Sequence, residues 1–155
     1  MDDVSIRPVA FDDPQAARLM AALDADLVAR YDNAEELFPP HVVGDYAPPH
    51  GTFLLVERAG RAVGCAGLRP GPAEDVGEVK RMFVEPAERG RGVARRLLAR
   101  LVQEAAGLGR GRLVLETGTE QPEAMALYAS AGWQPIMPYG HYRRSPRSRC
   151  YALEL

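Results

Sequence analysis

Apolar positions recur along this chain with two periods, and the alternation between the periods outlines a fold. Val4 to Val9 reads as a first strand, and Asp13-Pro14 supplies an N-cap acceptor and a pre-set first dihedral for a helix. Leu19, Leu23 and Leu27, backed by Ala16, Met20 and Ala22, form one stripe that runs to about Arg30 and needs a sheet to lie on. In YDNAEELFPPH, Asn33 caps a short helix that Pro39-Pro40 ends, and the polar stretch up to Gly51 reads as loop. Thr52 to Glu57 and Ala62 to Arg69, joined by Arg58-Ala59-Gly60-Arg61, read as a β-hairpin. After a proline, glycine and acid loop from Pro70 to Gly77, the run from Glu78 with Val79, Met82, Phe83 and Val84 suits a buried strand, stopped by Pro86.

From Val93 the period changes again. Leu97, Leu98, Leu101, Val102 and Ala105 recur at helical spacing, Gly107, Gly109 and Gly111 end that helix, and Arg112 to Thr117 follows as the fifth strand. Beyond Gln121, Pro122 sits in the first turn of a helix whose one face carries Ala124, Leu127, Tyr128 and Ala131, closed by Gly132. The tail offers a strand near Trp133 to Ile136, a loop with Tyr139, His141 and Tyr142, and a last strand from Cys150 to Leu155.

Composition sets bounds on this outline. A chain of 155 residues with 46% hydrophobic content is one domain's worth, residues 1–155, and can bury a proper core. A formal net charge of −2 gives no global basic field, so nucleic acid is not the expected partner. Only Cys65 and Cys150 are present, and MDDVSIRPVA lacks a basic and then apolar leader pattern, so a cytoplasmic location with free thiols is expected. No apolar run approaches the ~20 residues that cross a bilayer, so no membrane association is expected. His41, His50 and His141 lack the spacing and cysteine partners of a zinc site, and no metal is expected.

The strand and helix around EVKRMFVEPAERGRGVARRLLARLV carry the chemistry. Gly90 and Gly92 allow close backbone approach where a helix opens, and the first turn of any helix leaves N–H groups unpartnered at the positive end of its dipole. With Arg89, Arg91, Arg95 and Arg96 beside it, this turn forms a candidate phosphate cradle from Arg89 through Gly90, Arg91, Gly92, Val93 and Ala94 to Arg95. Arg95 stands where a dinucleotide fingerprint needs a third glycine or alanine, and the lysine and hydroxyl of a nucleoside triphosphate loop are missing. What remains is Arg89-x-x-Gly92-x-Ala94. It resembles the phosphate loop of the GNAT superfamily of acetyl-CoA-dependent N-acetyltransferases, Gln/Arg-x-x-Gly-x-Gly/Ala. The later segment is similar to a second GNAT pattern, Asn-x-x-Ala-x-x-Leu-Tyr-x-x-x-Gly-Phe: Ala124, Leu127, Tyr128 and Gly132 match, with Gln121 for asparagine and Trp133 for phenylalanine.

The resemblance implies an α/β fold of the α+β type. It has a mixed, mostly antiparallel sheet of six or seven strands and about four helices, with the fourth and fifth strands splayed so that pantetheine pairs with backbone of Met82, Phe83 and Val84. It implies acetyl transfer from acetyl-CoA to a primary amine of a small molecule or peptide, with Tyr128 protonating or hydrogen-bonding the departing CoA sulfur. Glu78 is the first candidate for the base, a role that requires burial or a carboxylate neighbour such as Glu116 to raise its pKa. Backbone N–H groups around Phe83 and Val84 are candidate oxyanion donors. The resemblance also places Asp32, Glu35 and Glu36, with Tyr31 and Phe38, in the loop over the acceptor, which suggests a cationic amine, and gives His141 and Tyr142 to the acceptor pocket. Two other classes stay open: a non-catalytic acyl-CoA sensor on the same fold, and a phosphate-binding interaction module. The acceptor and the oligomeric state, a homodimer included, are not legible.

Overall fold

The computed structural model describes residues 3–31 and 39–155. Its elements follow the two periods closely: β1 (Val4–Val9), α1 (Pro14–Arg30), β2 (Thr52–Arg58), β3 (Arg61–Pro70), β4 (Val76–Val84), α2 (Val93–Gly107), β5 (Arg112–Gly118), α3 (Pro122–Ser130), β6 (Gln134–Ile136) and β7 (Ser148–Glu154). The strands form one seven-stranded sheet in the order β1-β2-β3-β4-β5-β7-β6. All neighbours are antiparallel except β4 and β5. Three α-helices lie among the described residues, against about four expected, and the short helix read at Asn33 falls outside them.

Two differences from the sequence reading concern strand starts. β4 begins at Val76 because that side chain packs with Val114 and Ala152, and Pro70 pairs with Gly77, so the end of the expected loop is already sheet. β7 begins at Ser148, which is buried opposite Gly118, where a polar Ser-Arg pair hides the strand from a hydrophobicity reading. Within the stretch read as loop, Val43–Tyr46 makes one 3-10 turn and buries Tyr46.

The sheet is sandwiched. Leu54, Val56, Leu68, Val79 and Leu115 pack with Leu97 and Leu101 of α2, Tyr128 of α3 and Trp133 just after it, while Phe53, Leu55, Cys65 and Phe83 pack with α1 through Leu19 and Leu23 on the opposite face. β2 is therefore apolar at every central position, since both of its faces are covered. Asp13 Oδ1 accepts from the N–H groups of Gln15 and Ala16 at 2.9 and 3.2 Å and fixes the start of α1.

β4 and β5 pair only from Val76/Arg112 to Val79/Leu115, and beyond that point the edge of β4 that faces β5 has no strand partner. Just there the backbone of Arg81 turns to φ 58°, in the left-handed region, and the register with β3 slips between Cys65 and Gly67. This bulge reverses the alternation of β4: Val79 faces the α2 side, yet so do Met82 and Val84, while Phe83 joins the α1 side. The strain at Arg81 is held by its guanidinium, which donates to Asp24 Oδ1 at 2.7 Å and to the Met20 carbonyl at 3.2 Å on α1.

Candidate active site

A cleft of about 570 Å³ opens where β4 and β5 part. One side carries Val79, Met82, Leu115 and Tyr128, members of the core toward α2 and α3. The other carries Leu23 and Leu27 of α1, Tyr31 and His41, with Tyr142 and Arg147 from the tail loop. Glu116 and Ser148, on adjacent β5 and β7, also line it.

The turn before α2 has the conformation its glycines suggest. Gly90 and Gly92 adopt φ 79° and 80°, and a Cβ at either would meet nothing within 4 Å, so the backbone dihedral and not crowding asks for glycine. Gly92 is the N-cap of α2 and offers no side chain to cap it, and the first intrahelical bond runs from Arg96 N–H to the Gly92 carbonyl at 3.1 Å. The N–H groups of Val93, Ala94 and Arg95 therefore precede the helical ladder at the positive end of the dipole. The arginines around this turn are anchored. Arg89 Nε donates to the Val84 carbonyl at 2.9 Å and its guanidinium lies 5.5 Å from the centre of the Phe83 ring, which ties the turn to the end of β4. Arg91 pairs with Glu88 at 3.6 Å, and Arg95 donates to Ser130 Oγ of α3 at 2.7 Å.

Tyr128 is 7% exposed, between the rings of Trp133 and Tyr151 at centroid distances of 5.9 and 5.8 Å. Its hydroxyl points to Met82 Sδ at 4.0 Å, across the gap between α3 and β4. Burial pushes this phenol up to about 12, so it is a neutral donor throughout the physiological range.

The two carboxylates differ in setting. Glu78 is 8% exposed and lies behind the cleft, not among its lining residues. Its Oε2 accepts from Tyr139 at 2.7 Å and lies 3.8 Å from Lys80 Nζ, while Oε1 lies 3.8 Å from Arg69 Nε. Burial, reinforced by that carboxylate, raises the Tyr139 phenol far above its ordinary value. Glu116 lines the cleft, and Ser148 Oγ donates to its Oε2 at 2.9 Å. Burial, reinforced by the negative charge of Glu78, raises the Glu116 carboxyl above the ordinary glutamate value of 4.5 against the opposing effects of Ser148 and Lys80. The sequence reading puts Glu78 first as the base, names Glu116 as the neighbour that would raise it, and leaves open whether Glu78, Glu116 or a water chain takes the proton. The signal available was a charged residue following Leu113-Val114-Leu115 inside an otherwise buried strand.

Other expected residues are placed as follows. Met82, Phe83 and Val84 occupy the part of β4 beyond its last pairing with β5, and Val84 pairs with Gly64 on the opposite edge. Tyr142 lines the cleft and His141 stacks edge-on against it at 4.6 Å, outside the lining. Gln121 does not cap α3 with its side chain; instead its Oε1 accepts from Tyr31 at 3.1 Å and links the end of α1 to the start of α3. Asp32, Glu35, Glu36 and Phe38 lie outside the described residues. Among the described residues, no group of histidine, cysteine or carboxylate side chains gathers as a metal site, and no helix is long and apolar enough to cross a membrane.

A seven-stranded mixed sheet that parts at β4 and β5, with a glycine-headed helix after β4 and a tyrosine from α3 in the gap, defines an acyltransferase class of fold. The family model for the acetyltransferase (GNAT) family matches residues 16–133, and the chain belongs to that family. It is 42% identical over 102 residues to IAA acetyltransferase of Azospirillum brasilense, covering 66% of this chain and 67% of that protein. It is also 34% identical over 134 residues to the N-alpha-acetyltransferase RimI of Mycobacterium tuberculosis, covering 83% and 82% of the two chains. A Klebsiella pneumoniae crystal structure assigned as an acyl-CoA N-acyltransferase superposes with a TM-score of 0.81 at 31% identity, over 98% of this chain and 97% of the other.

Proposed function

We propose that this protein is an N-acetyltransferase that moves the acetyl group of acetyl-CoA to a primary amine of a small molecule or peptide. The observation that carries the reading is the cleft at the parting of β4 and β5, which brings the Tyr128 hydroxyl and the Glu116 carboxylate beside the unpaired edge of β4. The open N–H groups at the start of α2 suit the pyrophosphate, and the unpaired edge from Met82 to Val84 suits the amide-bearing pantetheine arm. That arm lays the thioester toward Tyr128.

The acceptor amine enters from the α1 side. The ammonium gives one proton to a carboxylate, the nitrogen lone pair then forms the C–N bond, the C–S bond breaks as the CoA thiolate leaves, and the second N–H proton passes to that thiolate or to water. Glu116 is the better placed base: it lines the cleft, its pKa is raised toward the working range, and Ser148 holds one oxygen. Glu78 takes the proton only through an intervening group such as water, because Tyr139 already occupies its Oε2. Backbone N–H groups near Phe83 and Val84 are the donors for the developing oxyanion. Tyr128, with its phenol raised to about 12, acts chiefly by hydrogen bonding to the sulfur as charge builds there, since complete proton transfer to a thiolate is uphill. Retention of both Tyr128 and Glu116 in one cleft favours turnover over mere acyl-CoA sensing.

The test is free-thiol release from acetyl-CoA against an amine panel, with product acetylation read by mass, in the wild type and Tyr128→Phe. Acetyl-CoA affinity should stay within a few-fold while the rate constant falls by ~10², the usual contribution of one positioned proton donor. Acetyl-CoA binding without thiol release for any amine would favour the sensor reading, and a parental rate in Tyr128→Phe would return that residue to a packing role.

A further inference from the structure

β4 carries an arginine at a position where its backbone favours glycine. Cys65 pairs with Phe83 and Gly67 with Lys80, so Arg81 and Met82 together oppose the single residue Ala66. A bulge that opens on a left-handed residue is the kind that places glycine there, because a side chain at positive φ is strained. Arg81 adopts φ 58° all the same, and it is held from both ends. Its largely buried guanidinium donates to Asp24 Oδ1 at 2.7 Å and to the Met20 carbonyl at 3.2 Å, and its own carbonyl accepts from the Cys65 thiol at 3.4 Å.

The place of the bulge decides what it does. It follows the last pairing of β4 with β5, Val79 with Leu115, and opens the edge from Met82 to Val84 that β5 does not cover. Past it the Glu85 N–H donates to the Val63 carbonyl at 2.9 Å. The N–H and carbonyl of Val84, one residue earlier, therefore point to the uncovered edge, where Arg89 Nε donates to that carbonyl at 2.9 Å. The extra residue sets this parity, since one residue fewer would turn every later group to the opposite side. Asp24 does not line the cleft, although its neighbour Leu23 does. A carboxylate on α1 thus fixes, at one remove, the direction of backbone groups on β4.

We infer that Asp24 is a positioning residue for acyl transfer, which through Arg81 holds the bulge that aims the Met82 to Val84 edge at the thioester. This rests on the acetyltransferase reading above and adds a residue to that site. Substitutions separate the role from plain stability and from a released charge, with all rates read well below each variant's melting temperature. Asp24→Asn keeps an oxygen for the 2.7 Å bond and should stay near the parental rate. Asp24→Ala should lower kcat by ~10-fold or more, the scale of a misplaced reacting group, with KM for acetyl-CoA changed only a few-fold because the turn before α2 is untouched. Adding Arg81→Gly to Asp24→Ala should restore kcat, since glycine takes φ 58° unaided, whereas adding Arg81→Ala should not. Both double variants lack the guanidinium, so their difference reads the backbone alone. Amide proton–nitrogen spectra of the free protein need no acceptor: the Phe83 and Val84 peaks should move in Asp24→Ala and return in the glycine double variant. Parental kcat in Asp24→Ala, equal kcat in the two double variants, or unmoved amide peaks would each overturn the inference. If the wild type turns over no amine, it is the acetyltransferase reading that falls, and the amide peaks then decide whether Asp24 holds the bulge.

Discussion

At the scale of single residues, the different settings of Glu78 and Glu116 follow from two positions on adjacent strands. Glu78 pairs in register with Val114, so Glu116 lies two residues further toward the open end, on the same face. That step takes one carboxylate out of the ion-paired interior beside Arg69, Lys80 and Tyr139 and puts the other into the cleft. A base whose pKa is raised ionises later as pH rises, and its help matters most where the amine is still protonated. Glu116→Gln should therefore lower kcat/KM most near neutral pH and lose less at alkaline pH, where free amine is already abundant. Glu78→Gln should leave the shape of the pH profile and act through stability, because it removes the charge facing Arg69 and Lys80. If Glu78→Gln shows the alkaline rescue and Glu116→Gln a uniform loss, the two roles are exchanged.

At the scale of elements, the two sequence patterns turn out to be descriptions of helix ends. α3 closes in a paired left-handed turn: Gly132 adopts φ 89°, the Trp133 N–H reaches the Tyr128 carbonyl at 3.0 Å, and the Gly132 N–H reaches Ala129 at 3.2 Å. The spacing Tyr-x-x-x-Gly-Trp is thus what lets Trp133 fold back onto Tyr128 and hold its ring. The start of α2 permits a sharper test. Gly92 has φ 80° with open space around it, so a side chain there costs ~1–2 kcal/mol of backbone strain and meets no clash. Asp and Asn tolerate that conformation about equally, but Asp adds a carboxylate where a pyrophosphate would sit. Gly92→Asp should abolish acetyl-CoA binding by calorimetry, and Gly92→Asn should retain most of it with a similar melting temperature. Equal affinities in the two variants would remove the phosphate from this turn. These ends were legible because glycine and proline leave sharp marks. The bulge at Arg81 was not, although the consecutive polar pair Lys80-Arg81 inside an apolar strand was its trace, and only the φ of 58° with the grip of Asp24 gives it meaning. The wall formed by Leu23, Leu27 and Tyr31 was hidden for another reason: on the sequence it is an ordinary helix stripe, and only the parting of β4 from β5 leaves part of it facing a cleft.

At the scale of the whole molecule, His41 joins the loop after the undescribed segment to the rest of the fold and to the wall of the cleft. It packs against Phe11 and Tyr46, each at a ring distance of 5.8 Å, and so connects that loop to the β1–α1 turn. Its folded pKa of about 4 lies below the ordinary 6.5, because burial and three nearby cations disfavour the imidazolium more than Asp24 favours it. The sign follows from proton uptake: between these values the unfolded chain binds the proton and the native one does not. The native state is therefore fully favoured above pH 6.5 and loses stability as pH falls from 6.5 toward 4. Glu85 and Glu123, lowered from 4.5 although burial opposes their arginine partners, add losses only at lower pH. Glu116, raised from 4.5, has the opposite sign, its contribution fading as pH rises through its folded value. The difference between wild type and His41→Gln isolates the imidazole from both. His41→Gln should melt lower at pH 7, where the neutral ring and its Tyr46 contact are intact in the wild type, and its melting temperature should change less between pH 6.5 and 4. Parallel melting curves across that interval would mean that His41 is protonated in the folded state and that the wall of the cleft carries its charge.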